Sequence, residues 1–356
     1  MSLNKSLSMP KELITGQSAW YGRDLLDSTN WVKFFSQSEK LELDAAMKSV
    51  KEKKIKIEDI KKTDFVLPNL SKKFDLIHKE LLEGRGFTLL RGLDVDQYHI
   101  EENAIIYAGI GAHFGHTLPQ NAKGHVIGHI KDVGLDHKDP NVRVYQTNVR
   151  QTYHTDSCDL VFLLCLKTAK SGGLSSIVSS VTIFNEMFKE RPDLAEALFA
   201  PIETDRRGEI PPGQLGYYRM PIFNWFRGRL STLYTRRYIE SARRFTAVPA
   251  LTEIQIQALN MFDQLANDSS INLHMEFEPG DIQILHNHQI LHDRTDFEDW
   301  PDEERKRHLL RLWIVSPNGR PLPPIFSERY GSVQIGSRER GGVRVVGQKL
   351  TAPLCP

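Results

Sequence analysis

Residues 153–176 of the sequence, YHTDSCDLVFLLCLKTAKSGGLSS, contain a His-x-Asp triplet, an apolar run and a pair of glycines in close succession. The run LVFLLCL is bounded by polar residues and has the length of a buried strand. In an extended segment, side chains two positions apart lie on the same face. We therefore expect His154 and Asp156 to project together at the mouth of a sheet core.

The composition of the 356-residue chain is ordinary for a globular protein, and its formal net charge is +1. A net charge this close to zero does not indicate a nucleic-acid-binding protein. No stretch of the sequence approaches the roughly 20 apolar residues of a membrane span. Cys158 and Cys165 lie around the apolar run and indicate reduced core thiols. With no signal-peptide pattern at the N-terminus, we expect a cytoplasmic protein without nucleic-acid or membrane partners.

The remaining sequence indicates helices packed around strands. Residues 36–82 have helical spacing and are rich in lysine and glutamate, and GFTLLRGL at 86–93 is typical of a strand. We expect residues 1–64 to form a helical extension packed on the core, and residues 65–356 to form one domain with a 203–270 insertion or lid and helix. Strand pairs flanked by helices, without βαβ alternation, predict a mainly β, α+β protein with a sandwich or barrel core.

The His-x-Asp triplet alone is not a specific signal, because a histidine precedes an acid by two positions five times in the chain. Any one such pair is by default a solvated surface pair. Within a helix, positions i and i+2 face different directions and cannot easily share a metal. Among the five, only one leads directly into an apolar strand. The pairs are His78–Glu80, His99–Glu101, His137–Asp139, His154–Asp156 and His274–Glu276.

A facial triad of two histidines and one carboxylate, the arrangement that holds ferrous iron, requires a second histidine from a distant strand. The segment EPGDIQILHNHQILHDRTDF at 278–297 indicates two strands around a turn. His292 follows Ile290 and Leu291 inside the second strand, so we favour it as the third ligand. The other downstream candidates are His274, His286, His288 and His308, and the last three are more simply explained as structural or surface imidazoles.

An iron oxygenase that uses 2-oxoglutarate must also bind a dicarboxylate, and arginine suits this because its planar guanidinium pairs bidentately. Arg307 and Arg311 share one face of an otherwise apolar predicted strand, RKRHLLRLWI at 305–314, where a basic residue is costly unless it is paired. A hydroxyl beside the arginine would complete the anchor. Ser175, which follows the glycine pair Gly172–Gly173, is the first choice.

The order of these motifs resembles the taurine dioxygenase / TfdA-type family of Fe(II)/2-oxoglutarate-dependent dioxygenases over roughly residues 65–318. The ordered motifs are His-x-Asp, Gly-Gly-x-Ser, Pro-Gly-Asp, a distal His and Arg-x-x-x-Arg, and the upstream GRGFTLLRGL and GAHFGHTLPQNAKG are also similar. The resemblance implies a double-stranded β-helix, or jelly roll, with flanking helices. It also implies Fe(II) bound by His154, Asp156 and His292, and 2-oxoglutarate and O₂ converted to succinate and CO₂.

The same resemblance assigns Ser175 and Arg307 to 2-oxoglutarate, and it places Arg311 where some members bind an anionic group of the prime substrate. Two spacings depart from the family. The segment between Asp156 and Ser175 is short, and the segment between His292 and Arg307 is slightly long. The alternatives that these departures leave open are Ser176, Ser179 or Ser180 for the hydroxyl and Arg305 for the arginine.

The substrate side of the site is less specific. Gln120, Asn148, Tyr153 and the aromatic segment GYYRMPIFNWF at 216–226 are candidates to line a pocket, with lid or core packing as the alternative for the aromatics. We expect a small organic substrate, and Arg311 favours an anionic one unless it pairs with an acid such as Asp296 or Glu298. The competing functions are a zinc-dependent hydrolase and a non-catalytic jelly-roll binding protein, and a homo-oligomer is compatible with the sequence.

Overall fold

The computed structural model describes residues 8–136, 142–345 and 347–356, so the His137–Asp139 pair lies outside the described residues. The helices there are α1 Gln37–Glu52, α2 Leu70–Glu83, α3 Ile100–Ala112, α4 Ser180–Glu190, α5 Pro192–Ala197, α6 Arg236–Ser241, α7 Glu253–Ala266 and α8 Ser327–Tyr330. The strands are β1 Val32–Phe34, β2 Phe87–Arg91, β3 His116–Thr117, β4 Ile127–Ile130, β5 Gln151–His154, β6 Leu160–Lys167, β7 Ser171–Gly172, β8 Ser175–Ser179, β9 Ile202–Asp205, β10 Tyr217–Met220, β11 Phe223–Phe226, β12 Arg229–Thr232, β13 Leu273–Met275, β14 Ile282–His286, β15 Ile290–Arg294, β16 Phe297–Glu298 and β17 His308–Val315. None of the helices in this part of the chain is long and apolar enough to cross a bilayer.

The larger sheet has seven strands in the order β1-β2-β14-β6-β17-β3, with β4 also paired to β17. The apolar run predicted as a buried strand is β6, which pairs antiparallel with β14 on one side and β17 on the other. Leu164 lies opposite both Ile282 and Leu310. Side chains alternate along β6, so every second residue packs against the helices and the others face the second sheet.

The smaller sheet contains β13, β8, β15 and β5, all antiparallel. Only residues 287–289 separate β14 of the larger sheet from β15 of the smaller one. Two sheets that are antiparallel apart from β1, joined by such crossings, form the jelly-roll architecture that the resemblance implies.

Three apolar layers hold this arrangement together. One lies between the two sheets and includes Val161 and Ile177. A second lies between α1–α3 and the outer face of the larger sheet, where Phe162 packs. The third lies between α4, α5 and α7 and the outer face of the smaller sheet, where Leu291 packs. The helices therefore cover both outer faces and leave the ends of the strands for a site.

The predicted helices begin and end where capping chemistry places them. Ser36 and Thr252 form capping boxes at the starts of α1 and α7, and Gly84 follows the last residue of α2. The N-terminal segment is more than the expected helical extension, because its β1 adds a parallel strand beside β2. Residues 203–270 form a hairpin of β11 and β12, most of the β9–β10 pair, α6 and α7.

Candidate metal centre and substrate cavity

His154, Asp156 and His292 lie together, with one potential ligand atom from each within 4.8 Å of the others. His154 ends β5 and lies directly opposite His292 of β15, so their ring centroids are 4.1 Å apart. Asp156 follows on the same side, with Oδ2 3.7 Å from Nε2 of His292. All three side chains are buried, and within the described residues no other His, Cys, Asp and Glu side chains form such a group.

The two imidazoles are in the form that binds a metal. Nδ1 of His154 donates to the carbonyl of Thr152 at 2.8 Å, and the side-chain amide of Gln151 donates to Nε2 at 2.9 Å. The ring lone pair of His154 is therefore on Nε2, where it accepts from Gln151 in this structure, and it is the lone pair that a metal would take. Burial lowers the pKa of both histidines, and that of His292 falls to about 3. Both rings are therefore neutral at pH 7, as a metal ligand must be.

The carboxylate of Asp156 is held by donors on β17. Its Oδ2 accepts a hydrogen bond from Nε1 of Trp313 at 2.8 Å and lies 3.4 Å from Nη1 of Arg311. Burial acts to raise the pKa of Asp156, but Arg311, the two imidazoles and Trp313 outweigh it and lower the pKa. The carboxylate is thus ionised and oriented before any ligand arrives, which is the outer support that metal ligands need.

A small pocket lies beside the triad, between the two sheets. Its most informative lining residue is Arg307, which is only 4% exposed. Nη1 of this arginine has no hydrogen-bond partner, and no carboxylate lies within ion-pair distance of the guanidinium, among the described residues. Burial lowers its pKa to about 10, so it remains charged at pH 7. A buried cation without a counter-charge is costly, and a bound carboxylate would satisfy it.

The four candidate serines occupy different environments. Ser175 lines the small pocket, and its hydroxyl accepts from the amide of Gln283 at 3.0 Å. The others have partners elsewhere: Ser176 with the hydroxyl of Tyr153, Ser179 with the first turn of α4 and Ser180 with the carbonyl of Gln289. The geometry therefore favours Ser175 as the hydroxyl beside Arg307, although the segment between Asp156 and Ser175 is shorter than in the family.

A large cavity of about 550 Å³ opens on the other side of the triad. His154, Asp156 and Trp313 form part of its wall, and the rest comes mainly from residues 143–152 and 205–240. This volume is within the range of small-molecule sites in proteins.

Arg311 lies between the two cavities and lines both. The side-chain amide of Gln120 fixes its position: Oε1 accepts from Nε of Arg311 at 2.7 Å, and Nε2 donates to the Arg311 carbonyl at 2.8 Å. Its guanidinium also lies over the rings of Tyr145 and Trp313. Gln120 thus lines the large cavity, as expected from the sequence, and also orients the cation beside it.

Residues 52–313 match the model of the family described as Taurine catabolism dioxygenase TauD, TfdA family. The chain belongs to this family. It is 30% identical to FR-33289 synthase of Streptomyces rubellomurinus over 325 residues, which are 90% of this chain and 96% of that protein. It is also 30% identical to a taurine hydroxylase-like protein of Stachybotrys chartarum over 309 residues, covering 84% of this chain and 79% of that protein.

The fold of this TauD-family chain is similar to that of solved iron oxygenases. Asparagine oxygenase with Fe(II), hydroxyasparagine and succinate superposes with a TM-score of 0.63 at 14% identity, covering 80% of this chain and 93% of that one. The non-heme iron oxygenase OrfP with Fe and alpha-ketoglutaric acid gives 0.59 at 16% identity, with coverage of 80% and 93%. The chain is an Fe(II)/2-oxoglutarate-dependent dioxygenase, and neither the zinc hydrolase nor the non-catalytic alternative is supported.

Two predicted pocket residues of the dioxygenase do not line either cavity. Tyr153 alternates with His154 along β5, so its ring points to the opposite face and packs in the apolar layer under α4. Asn148 is exposed, and its carbonyl accepts from the amide of Phe297 at 3.2 Å. The prediction failed for Tyr153 because neighbouring strand residues face opposite sides.

The aromatic segment at 216–226 also contributes less than expected. Tyr218 alone among its residues lines the large cavity, whereas Phe223 is fully buried in the layer beside α7. Arg311 does not pair with the acids suggested for it: its nearest carboxylate is that of Asp156, and Glu298 pairs with Lys170.

Arg294 is a cavity residue that the sequence analysis missed. It lies two positions after His292 on β15, on the same face, and it lines the small pocket beside Arg307. Its guanidinium donates to the carbonyls of Thr147 and Val149, and burial, followed by the charge of Arg307, lowers its pKa to about 9. The same two-residue spacing that places His154 and Asp156 on one face also relates His292 to Arg294, so the sequence did contain a signal for this residue.

A second missed element supports the segment that carries Asp156. The side chain of Asn287 accepts from the amide of Asp156 at 2.7 Å and donates to its carbonyl at 2.7 Å. Nearby, the fully buried carboxylate of Asp159 binds Nε2 of His288 and the guanidinium of Arg340, each at 2.8 Å. The turn between β14 and β15 and the C-terminal segment thus both hold the backbone beside the triad.

The remaining histidines have structural environments, as the sequence favoured for three of them. His288 pairs with Asp159, His308 lies 2.8 Å from Nδ1 of His129, and His286 is buried beside Arg320. His274 is exposed on β13. Arg305, the alternative to Arg307, is also exposed, and its guanidinium lies 3.7 Å from the ring centre of Trp300.

Proposed function

We propose that this dioxygenase hydroxylates a small anionic molecule in the large cavity, with iron held by His154, Asp156 and His292. The observation that carries the proposal is the placement of this buried triad between two cavities, one of which contains a buried arginine without a counter-charge. When bound, iron with 2-oxoglutarate and O₂ supplies the oxidation of a substrate C–H bond, with succinate and CO₂ as the other products.

The residues of the small pocket suit 2-oxoglutarate. Arg307 would bind the far carboxylate through its free Nη1, with the hydroxyl of Ser175 as a second donor. Arg294 adds a second positive charge to the same pocket. The apolar side chains of Leu163 and Leu309, which also line it, keep water from the charged groups.

Arg311 supports an anionic substrate, because its guanidinium reaches the large cavity while Gln120 and Asp156 fix its orientation. Two further relatives are named uridine-5′-phosphate dioxygenase, so their substrate carries a phosphate. The one from Amycolatopsis is 27% identical over 182 residues, covering 49% of this chain and 64% of that protein. We infer that the substrate of this chain also carries a negative charge.

The test has two stages. Anaerobic addition of Fe(II) and 2-oxoglutarate should produce the weak visible charge-transfer band expected of this family, and the His154→Ala protein should not show it. A screen of small acids scored by succinate release should then identify substrates. A band of equal intensity in the His154→Ala protein would overturn the ligand assignment.

All three cysteines of the described residues are free, and Cys158 and Cys165 are buried. This supports our proposal that the protein works in a reducing compartment such as the cytoplasm. A homo-oligomeric state remains a prediction that sedimentation analysis would check.

A further inference from the structure

The wall of the large cavity carries an excess of positive charge. Seven arginines and four carboxylates line it, a formal excess of three charges. The carboxylates are Asp156, Asp205, Glu209 and Glu240, and the arginines are Arg143, Arg150, Arg206, Arg236, Arg237, Arg311 and Arg329.

Each carboxylate of this wall already interacts with other groups of the protein. Asp156 belongs to the triad. The other three each form an ion pair with an arginine: Asp205 with Arg244, Glu209 with Arg143, and Glu240 with Arg236. None of these pairs includes Arg206 or Arg329.

Arg206 belongs to this wall and is only 6% exposed. It follows β9, and its guanidinium donates to the carbonyls of Leu215 at 3.2 Å and Glu328 at 2.6 Å. These bonds use Nε and Nη2 and leave Nη1 without a partner in the part of the chain that the structure describes. The guanidinium carbon also lies 5.2 Å from the ring centre of Tyr218, which lines the cavity.

Arg329 of α8 directly follows Glu328, whose carbonyl accepts from Nη2 of Arg206, and both arginines line the cavity. Burial and the charge of Arg329 lower the pKa of Arg206, while Tyr218 and Glu328 act in the opposite direction. Arg329 itself donates one hydrogen bond, to the carbonyl of Gly342 at 3.2 Å. Among the described residues, no carboxylate lies within ion-pair distance of either arginine. Two like charges at one cavity wall without a counter-charge are unfavourable unless an anion joins them.

We propose that Arg206 and Arg329 form an oxyanion subsite for a phosphate or phosphonate group of the prime substrate. The inference rests on the proposed function, because it names the substrate class of that cavity. A phosphate ester carries close to two negative charges at pH 7 and offers three acceptor oxygens, which match two guanidiniums at one cavity wall better than a carboxylate does. The subsite belongs to the 203–270 segment and α8, apart from the strands that carry the triad.

A purely structural role for Arg206 makes a different prediction. Its two carbonyl bonds join the segment after β9 to α8, so its loss would lower stability whether or not an anion binds. Arg329 makes only one such bond and is partly exposed, so its substitution should affect anion binding with little effect on stability. It therefore separates an anion-binding role from a structural one.

The experiment is a calorimetric titration of the anaerobic Fe(II)–2-oxoglutarate enzyme with ethyl phosphate and, separately, with ethanesulfonate. The variants are Arg329→Gln, Arg206→Lys and, as a control, Arg219→Gln. Arg219 is exposed on β10 and pairs with Glu203, and it does not line the cavity. We expect ethyl phosphate to bind more tightly than ethanesulfonate, Arg329→Gln and Arg206→Lys to raise its Kd roughly tenfold, and Arg219→Gln to leave it unchanged.

The inference is overturned if ethyl phosphate does not bind, if ethanesulfonate binds equally well, or if Arg329→Gln leaves the Kd unchanged. Failure of the proposed function is a separate result, because it appears as a missing charge-transfer band and absent succinate release. For any phosphorylated substrate that the screen identifies, Arg329→Gln should raise KM with little change in kcat.

Discussion

The two walls of the large cavity are built differently. The wall that carries the triad consists of neighbouring strands, where β5 and β15 place two histidines opposite each other and β17 supplies Trp313 and Arg311. The facing groups, such as Arg206 and Tyr238, come from the 203–270 segment, and Arg329 comes from a short helix. A ladder of backbone hydrogen bonds fixes the first wall, so the chemistry is set by the sheets while connecting segments select the substrate.

The largest expected effect tests the strand-built wall directly. His154→Ala or Asp156→Ala should abolish iron binding and 2-oxoglutarate-dependent succinate release, because each removes one of the three buried side chains that we propose as iron ligands. Metal content and succinate formation are the measurements. His274→Ala, which changes an exposed histidine of another His-x-acid pair, should leave both unchanged. Succinate formation by the Asp156→Ala protein would contradict the assignment of the chemistry to the strand-built wall.

Arg307→Gln should raise the KM for 2-oxoglutarate by roughly ten- to a hundredfold, because a charge-assisted pair would be lost. Steady-state kinetics at varied 2-oxoglutarate is the measurement. Arg305→Gln is the matched control: this arginine lies two positions earlier, is exposed and stacks on Trp300. An equal rise in KM for the control would reassign the anchor to Arg305.

Ser175→Ala should raise the same KM by about fivefold, the value of one neutral hydrogen bond. Ser176→Ala is the comparison, because this hydroxyl bonds Tyr153 on the other face of β8. The Ser176 variant should lose stability in a denaturant titration and keep its KM. If Ser176→Ala raised the KM and Ser175→Ala lowered only the stability, Ser176 would be the serine that binds 2-oxoglutarate.

The smallest catalytic effect is expected for Tyr153→Phe. The substitution removes the bond to Ser176 in a buried layer, so the free energy of unfolding should fall by about 1–2 kcal/mol. Because the ring points away from both cavities, kcat/KM should not change. A changed kcat/KM at unchanged stability would show that Tyr153 affects catalysis from the face of β5 that points away from the cavities.

The sequence predicted most of what depends on strand alternation. The grouping of His154, Asp156 and His292 and the burial of Arg307 and Arg311 follow from a period of two along apolar segments. The roles of these residues as ligands and anchors stay predictions. Alternation also gives the reason why Tyr153 lies outside the cavity, and applied to His292 it would have identified Arg294.

The missed residues depend on contacts between distant segments. Asn287 supports Asp156 across 131 positions of sequence, and Arg340 reaches Asp159 across 181. Arg206 and Arg329 line the same cavity although 122 positions separate Arg206 from Glu328, the residue before Arg329. No local periodicity marks such pairs, so a single sequence gives no signal for them.

The buried pair of Asp159 and Arg340 has a consequence for biosynthesis. The chain leaves the ribosome with its N-terminus first, so Asp156 and Asp159 emerge before His292, and Arg340 emerges after all three. Until then the buried carboxylate beside the triad lacks its strongest counter-charge. We therefore expect a chain that stops before Arg340 to keep all three proposed iron ligands but to hold the segment around Asp156 less stably than the longer chain does.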